Sequence, residues 1–324
     1  MKRFKKCMAF VLSIAICSSF VLPGLAIEES AKLKNGRSEL SEQVEELLEG
    51  NMTKQTIEVS ERELVERMLE VGTITREELN ADLLSQANES TQTLRQRGYS
   101  DSQIQIIKGY EEGEDAFDYI YDGSAQTRAV SAGATLTFDY GLTGAVEGGT
   151  GNTKRKVGIA YEMNWSSCPF WTFTDSFGIG WIAADEDSYP LAMKVDSTMA
   201  VVDYYTTSGE YANLYRDVEM DKVSNCIVIG NPILGSADGN YGKRISGVTY
   251  TSTQSDSYNI DTVQVFVAYG HTIVTIGVGL DVSLGWALND STITFAPSVE
   301  VNQQLLVKDD HTFWYNSSDV ITAK

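Results

Sequence analysis

The spacing of apolar residues changes once along the chain, and the change divides it. Between residue 37 and about residue 120, apolar side chains recur every three or four positions behind short polar starts. Ser60-Glu61-Arg62-Glu63 precedes Leu64, Val65, Met68 and Leu69. In that order the serine hydroxyl and the glutamate carboxylate satisfy each other's free backbone N–H groups, a capping box that opens a helix. Thr75-Arg76-Glu77-Glu78 repeats the device ahead of Leu79, Leu83 and Leu84. In LRQRGYSDSQIQIIKGY (Leu94 to Tyr110), Gly98 suits a helix C-terminus and Ser100 a new N-cap, with Ile104, Ile106 and Ile107 as the apolar side. The pattern predicts short amphipathic helices joined by tight turns. Their apolar stripes are narrow and their acidic residues dense, so they are expected to dock on the second half of the chain or on something outside it.

DGSAQTRAVSAG, from Asp122 to Gly133, is small and polar and reads as a linker. Beyond it the period falls to two. Ala134, Leu136, Phe138, Tyr140 and Leu142 alternate with polar or small residues, as do Val157, Ile159, Tyr161, Met163 and Trp165. A third run sets Trp171, Phe173, Phe177, Ile179 and Trp181 on one side, broken by Asp175. Successive strand residues point to opposite faces, so each run has a greasy and a wet side, as an antiparallel sheet covered on one face requires. Further strands are expected at 199–205, 245–252, 261–284, 291–301 and 303–307, between Gly, Asn, Asp and Ser turns. The fold class that follows is α+β: an acidic helical region over 27–121, a linker over 122–133, and a mostly antiparallel β-sandwich-like domain over 134–324.

VQVFVAYGHTIVTIGVGLDVSLGWA, from Val263 to Ala287, carries no charge between Asp261 and Asp281. Its glycines, its mid-run His271 and its Val, Ile and Thr content oppose a membrane helix. A lipid-inserting hairpin needs one polar lumen face, and neither parity set supplies one. Apolarity on both sides fits a central strand covered above and below, or a hairpin that turns near Gly270-His271 and buries both arms.

The first 26 residues have another character. A basic start (Lys2, Arg3, Lys5, Lys6), an apolar run from Met8 to Leu22 and Gly24-Leu25-Ala26 describe a secretory signal peptide cleaved after Ala26. Ile16 before Cys17 argues against lipid attachment there. Removing the leader takes four of the 25 Lys and Arg and none of the 45 Asp and Glu, moving the formal charge from −20 to −24. A surface so acidic repels nucleic acid and anionic lipid, which argues against a nucleic-acid partner and against stable membrane insertion. Export also permits one disulfide between Cys168 and Cys226, and closing so long a loop stabilises by about 4 kcal/mol in the chain-entropy model.

Candidate chemistry is thin. There is no CxxC, no HExxH and no GxSxG, and His271 and His311 are the whole histidine complement. Cys168 in WSSCPFW lacks a nearby imidazole to activate it as a nucleophile. YEEGEDAFDY (Tyr110 to Tyr119) lacks the spacing of a calcium loop. The acids Asp185, Glu186, Asp187, Asp203, Asp217 and Glu219 supply a carboxylate pair only if the fold brings two of them together. Trp165, Trp171 and Trp181 sort to the apolar side and read as core, while Trp286 and Trp314 stand apart as candidate ligand contacts. No metal, cofactor or catalytic residue is expected.

Two blocks carry a resemblance. LRQRGYSDSQIQIIKGY, and YEMNWSSCPFWTFTDSFGIGW with the later VAYGHTIV, resemble segments of uncharacterised exported proteins of Gram-positive bacteria, in which helices precede a strand-rich region. The resemblance covers about a third of the chain beyond the leader and implies secretion and the helices-then-strands order, with no activity attached. The expectation is therefore a secreted or cell-envelope protein, most simply a non-enzymatic module for an extracellular or cell-wall ligand. The alternatives are a carboxylate-dependent, glycosidase-like hydrolase and a membrane-active β-protein.

Overall fold

The alternation beyond residue 134 becomes two antiparallel sheets. The computed structural model describes residues 31–32, 38–49, 54–72, 74–122, 133–147, 154–171, 174–205, 211–216, 226–230, 241–254, 259–272, 279–283, 292–296, 304–315 and 321–323. The strands are β1 (Ala31–Lys32), β2 (Gln55–Ser60), β3 (Thr135–Glu147), β4 (Lys154–Trp165), β5 (Thr174–Ala184), β6 (Pro190–Leu191), β7 (Met193–Tyr205) and β8 (Tyr211–Arg216). They continue as β9 (Cys226–Gly230), β10 (Tyr241–Thr253), β11 (Thr262–Thr272), β12 (Gly279–Ser283), β13 (Thr292–Ala296), β14 (Gln304–Tyr315) and β15 (Ile321–Ala323). The helices are α1 (Glu39–Glu49), α2 (Glu61–Glu70), α3 (Arg76–Asn88), α4 (Thr91–Gln96), α5 (Asp101–Lys108) and α6 (Ala116–Tyr121).

The larger sheet runs β1-β8-β7-β10-β4-β3-β2 and the second β15-β14-β11-β5-β6, with β9 also on β5. Their inner faces meet in one core. Phe138 on β3 stacks on Phe177 of β5 at 6.0 Å between ring centroids and meets Tyr269 of β11 edge-on at 5.9 Å, while Tyr161 of β4 lies 5.5 Å from Phe177. Tyr161 explains a mid-strand glycine. Gly247 is its cross-strand partner on β10, and a Cβ there would come within 2.3 Å of the Tyr161 ring.

The first part of the uncharged stretch, Thr262–Thr272, is a central strand, β11, paired with β5 on one side and β14 on the other. Gly279–Ser283 forms β12 in a separate two-stranded sheet, which corrects the single strand expected over 261–284. Val263, Val265, Val267 and Tyr269 enter the inter-sheet core. Phe266 and Gln264 point the other way and are also buried. The ribbon of β12 and β13 lies beside β11, β9 and β14 of the second sheet. The hairpin alternative is corrected: pairing runs through Gly270 and His271 to Thr272, with no turn there. Residues 273–278 lie outside the described set.

The larger sheet's outer face is not left wet either. Helix α1 crosses β3, β4, β7 and β10, setting Leu40, Val44 and Leu48 on Ala160 and Val201. The helical half therefore contains more than helices. Strand β2 lies inside it and pairs with β3, Ser60 opposite Thr135, so β1, α1 and β2 belong to the sheet, and only α2 to α6 form a separate layer between paired strand ends. QTIEVS escapes a sequence reading because its burial is one-sided and its partner lies some 80 residues downstream.

The helix signals are confirmed locally. Capping boxes close at Ser60, Thr75 and Ser100, and Gly98, past the end of α4, takes a φ of 98° that favours glycine. The layer docks on the sheets as expected: Leu64, Val65, Met68, Leu79, Leu83, Leu94, Ile104, Ile106 and Ile107 join the same core as Trp181 and Phe177. Each such aliphatic side chain contributes about 1.5–3 kcal/mol of burial. Among the described residues no helix is long and apolar enough to cross a membrane. The leader with its cleavage point at Ala26, residues 123–132 of the linker, and Trp286 lie outside the described residues.

Candidate functional site

WSSCPFW leaves β4 and enters the helical layer, where side chains replace the hydrogen bonds a strand would have made. Gln86 of α3 donates to the Phe170 carbonyl at 2.9 Å, and the Tyr99 hydroxyl donates to the same oxygen at 2.9 Å. Gln103 of α5 donates to the Cys168 carbonyl at 2.6 Å. Glu61, first residue of α2, accepts the backbone N–H groups of Phe170 and Trp171 on one oxygen and that of Ala134 on the other. A buried loop must account for each backbone polar group, and here four side chains from the helical layer do most of it. Tyr99 and Gln103 of the Leu94 to Tyr110 block thus meet Phe170 and Cys168 of the strand-rich block.

Glu61 is 2% exposed. Its own backbone N–H reaches the Ala134 carbonyl at 2.9 Å, so backbone and side chain together close the neck between β2 and β3. Burial raises its carboxyl to about 7, against the opposing pull of the three backbone N–H groups and Tyr121. The Tyr121 hydroxyl is buried beside it and makes no regular hydrogen bond. Cys168 carries a free, buried thiol that donates to the Arg97 carbonyl at 3.5 Å. Burial pushes that thiol well above the ordinary range, which keeps it protonated and inert as a nucleophile. Of Cys226 the structure describes only the backbone at the start of β9.

A second polar centre lies under α1. Register places Asp203 of β7 directly opposite Arg244 of β10, and Glu162 of β4 opposite Ser246. The Arg244 guanidinium reaches Asp203 Oδ2 at 3.2 Å and Glu162 Oε1 at 3.4 Å, and all three residues are buried. Ser246 donates to Glu162 at 3.0 Å. From the helix, the Ser41 hydroxyl donates to Asp203 at 2.7 Å and the Ser38 N–H at 3.4 Å. Asp203 therefore faces the start of α1, where free N–H groups and the helix dipole favour a negative charge.

Of the carboxylates offered by the sequence, the structure describes Asp185, Glu186, Asp187 and Asp203, and it gives Asp203 and Asp185 separate structural partners. Asp203 is not in a solvated acidic loop but buried on a strand, and Asp185 holds a turn by accepting from the N–H groups of Asp187 and Tyr189. Asp217 and Glu219 lie outside the described residues. Trp165, Trp171 and Trp181 are buried, the first and last on inward strand positions and Trp171 in the seam. The side chains of His271, His311 and Trp314 lie outside the described set, though their backbones belong to β11 and β14. In YEEGEDAFDY, Asp115 caps α6 and shares Arg76 with Asp118, a structural use of its acids. Among the described residues no group of three His, Cys, Asp or Glu is placed to hold a metal.

Sequence reasoning missed Glu61, Glu162 and Arg244. Glu61 sat in view inside a capping box that explained it locally. Arg244 and Glu162 fall on β-periodic runs, and an interior charge on a strand is the signal that a partner must exist. Compared with known proteins, the chain matches no family model and no curated protein sequence.

Proposed function

We propose that this chain is an exported protein of the extracellular space or the outer face of the cell envelope, acting as a non-enzymatic binding module. One observation carries the reading: the groups with chemical potential among the described residues, Glu61, Cys168, Asp203, Glu162 and Arg244, are buried and hold one part of the chain to another. Catalysis needs a reacting group within reach of substrate, and a general acid sealed at 2% exposure has none. The acidic composition and the basic, apolar first 26 residues support export, as does the resemblance of the Leu94 to Tyr110 block to exported proteins.

The ligand is an extracellular or cell-wall component, with Trp286 and Trp314 as its candidate contacts. Residues 27–324, purified and incubated with washed cell walls, are expected to sediment with them saturably without releasing sugar or peptide. Steady release of reducing ends would replace this reading with the carboxylate hydrolase, and dye release from liposomes would replace it with membrane damage. Trp286→Ala with Trp314→Ala is expected to weaken sedimentation at least tenfold. Export is tested separately: protein recovered from the medium is expected to begin at Ile27.

A further inference from the structure

Among the described residues, Glu61 differs from the buried Glu162 and Asp203 in having no cation paired with it. Its carboxyl instead gathers four segments that are far apart in sequence: the start of α2, the start of β3 through Ala134, the 166–171 loop through Phe170 and Trp171, and the end of α6 through Tyr121. We propose that Glu61 is a proton-responsive latch at the neck of the helical layer, so that gain or loss of one proton sets how firmly α2 to α6 and the 166–171 loop are held on the sheets.

The geometry accommodates both states. Ionised, the carboxylate accepts from three backbone N–H groups, and the Tyr121 hydroxyl is free to turn and donate to it. Protonated, one oxygen keeps the Phe170 and Trp171 N–H groups while the other donates its proton to the Tyr121 oxygen, at the expense of the Ala134 contact. The two states differ mainly in whether an unpaired charge is buried, and burying one is costly. Docked, the carboxyl holds its proton to about 7; released into water it returns to the ordinary 4.5. The docked layer therefore binds the proton more tightly, and acid favours docking. The docking constant falls about tenfold per pH unit as pH rises from about 5 to 7, then levels off.

Among the described residues, the ionisable groups facing this site include Asp82 of α3, which burial also raises and which Gln86 meets at 2.8 Å behind the seam, so Asp82→Asn belongs beside Glu61→Gln as a control. Burial raises the hydroxyls of Tyr121 on α6 and Tyr99 beyond α4, and the Cys168 thiol in the loop, and Ala134 brings no ionisable side chain. On its own helix, Arg62 is already paired with Glu66 and Asp122. Arg97, which acts on Tyr99 and Cys168, is paired with Glu89.

Amide hydrogen exchange, read by mass spectrometry and corrected for intrinsic rates, tests the latch between pH 5.5 and 8.5. In the wild type, protection of residues 134–136 and 166–171 is expected to fall at least tenfold across neutrality and then level off, while β10 and β11 hold steady. In Glu61→Gln the same peptides are expected to show no such step. A flat wild type, or an equal step in Glu61→Gln, overturns the proposal. Should Glu61→Gln not fold, the wild type decides alone. With isotope-labelled glutamate, the infrared band of a protonated carboxylic acid should be present at pH 6 and gone by pH 8.5, and its absence at pH 6 overturns the latch.

Discussion

Helix α1 and the layer α2 to α6 are fastened to the β-structure by opposite means. Beneath α1 the fastening is ionic: a guanidinium between two carboxylates, the helix start seated on one of them. At the seam it is nearly neutral, built from two glutamines, a tyrosine and one carboxyl that meet backbone groups directly. A buried ionic triad is strongly weakened if one member is lost, because the others are left buried and unpaired. A neutral set loses its members one at a time, and its single carboxyl is the part that responds to acid. Helix α1 is thus held through charges, and α2 to α6 through a mostly neutral seam with one proton-binding group.

The largest effect should come from breaking the triad. Arg244→Ala leaves Asp203 and Glu162 unbalanced and is expected to cost about 3–5 kcal/mol, seen as a lower urea midpoint. Replacing all three with Arg244→Met, Glu162→Leu and Asp203→Leu should recover most of that loss, leaving chiefly the missing anchor for α1. If the triple replacement is as unstable as the single one, the contrast between the two fastenings is wrong.

Next comes pH. Because the folded carboxyl of Glu61 lies near 7 and the unfolded one near 4.5, its contribution is complete below 4.5 and is lost as pH rises toward 7. The fall is about 3 kcal/mol, and urea midpoints between pH 4.5 and 8 check it, with Glu61→Gln as the comparison. Smaller again is Ser41→Ala, which removes a hydrogen bond to a charged oxygen at a cost of about 2 kcal/mol and should loosen α1 without touching protection at 166–171. The mildest is Gln103→Ala, about 1–2 kcal/mol for one stranded carbonyl, with faster exchange confined to the seam and α5.

What could be read in advance follows the range of the forces. Capping boxes involve atoms three residues apart, so Ser60, Thr75 and Ser100 announced their helices. The change of period at residue 134 announced the sheets, and apolarity on both parities of 263–278 announced a strand covered twice over, which Thr262–Thr272 is. Partnerships set by register were out of reach: Asp203 meets Arg244 across 41 residues and Glu162 meets Ser246 across 84. Strands β8, β9 and β15 were missed because short runs carry too few alternations to stand out. Glu61 was missed for the opposite reason, its local surroundings already supplying a sufficient account of an acid at a helix start.

The pairing of Ser60 with Thr135 has a consequence for how such a chain can vary. Everything from Glu61 to Ala134 leaves and returns at one point, as a guest does through a single door. Closing that excursion costs only about 3 kcal/mol more than a two-residue turn, since the penalty grows with the logarithm of its length. A related gene could lengthen, exchange or discard the whole cassette without shifting a single rung of the host ladder, provided the 166–171 backbone found new partners.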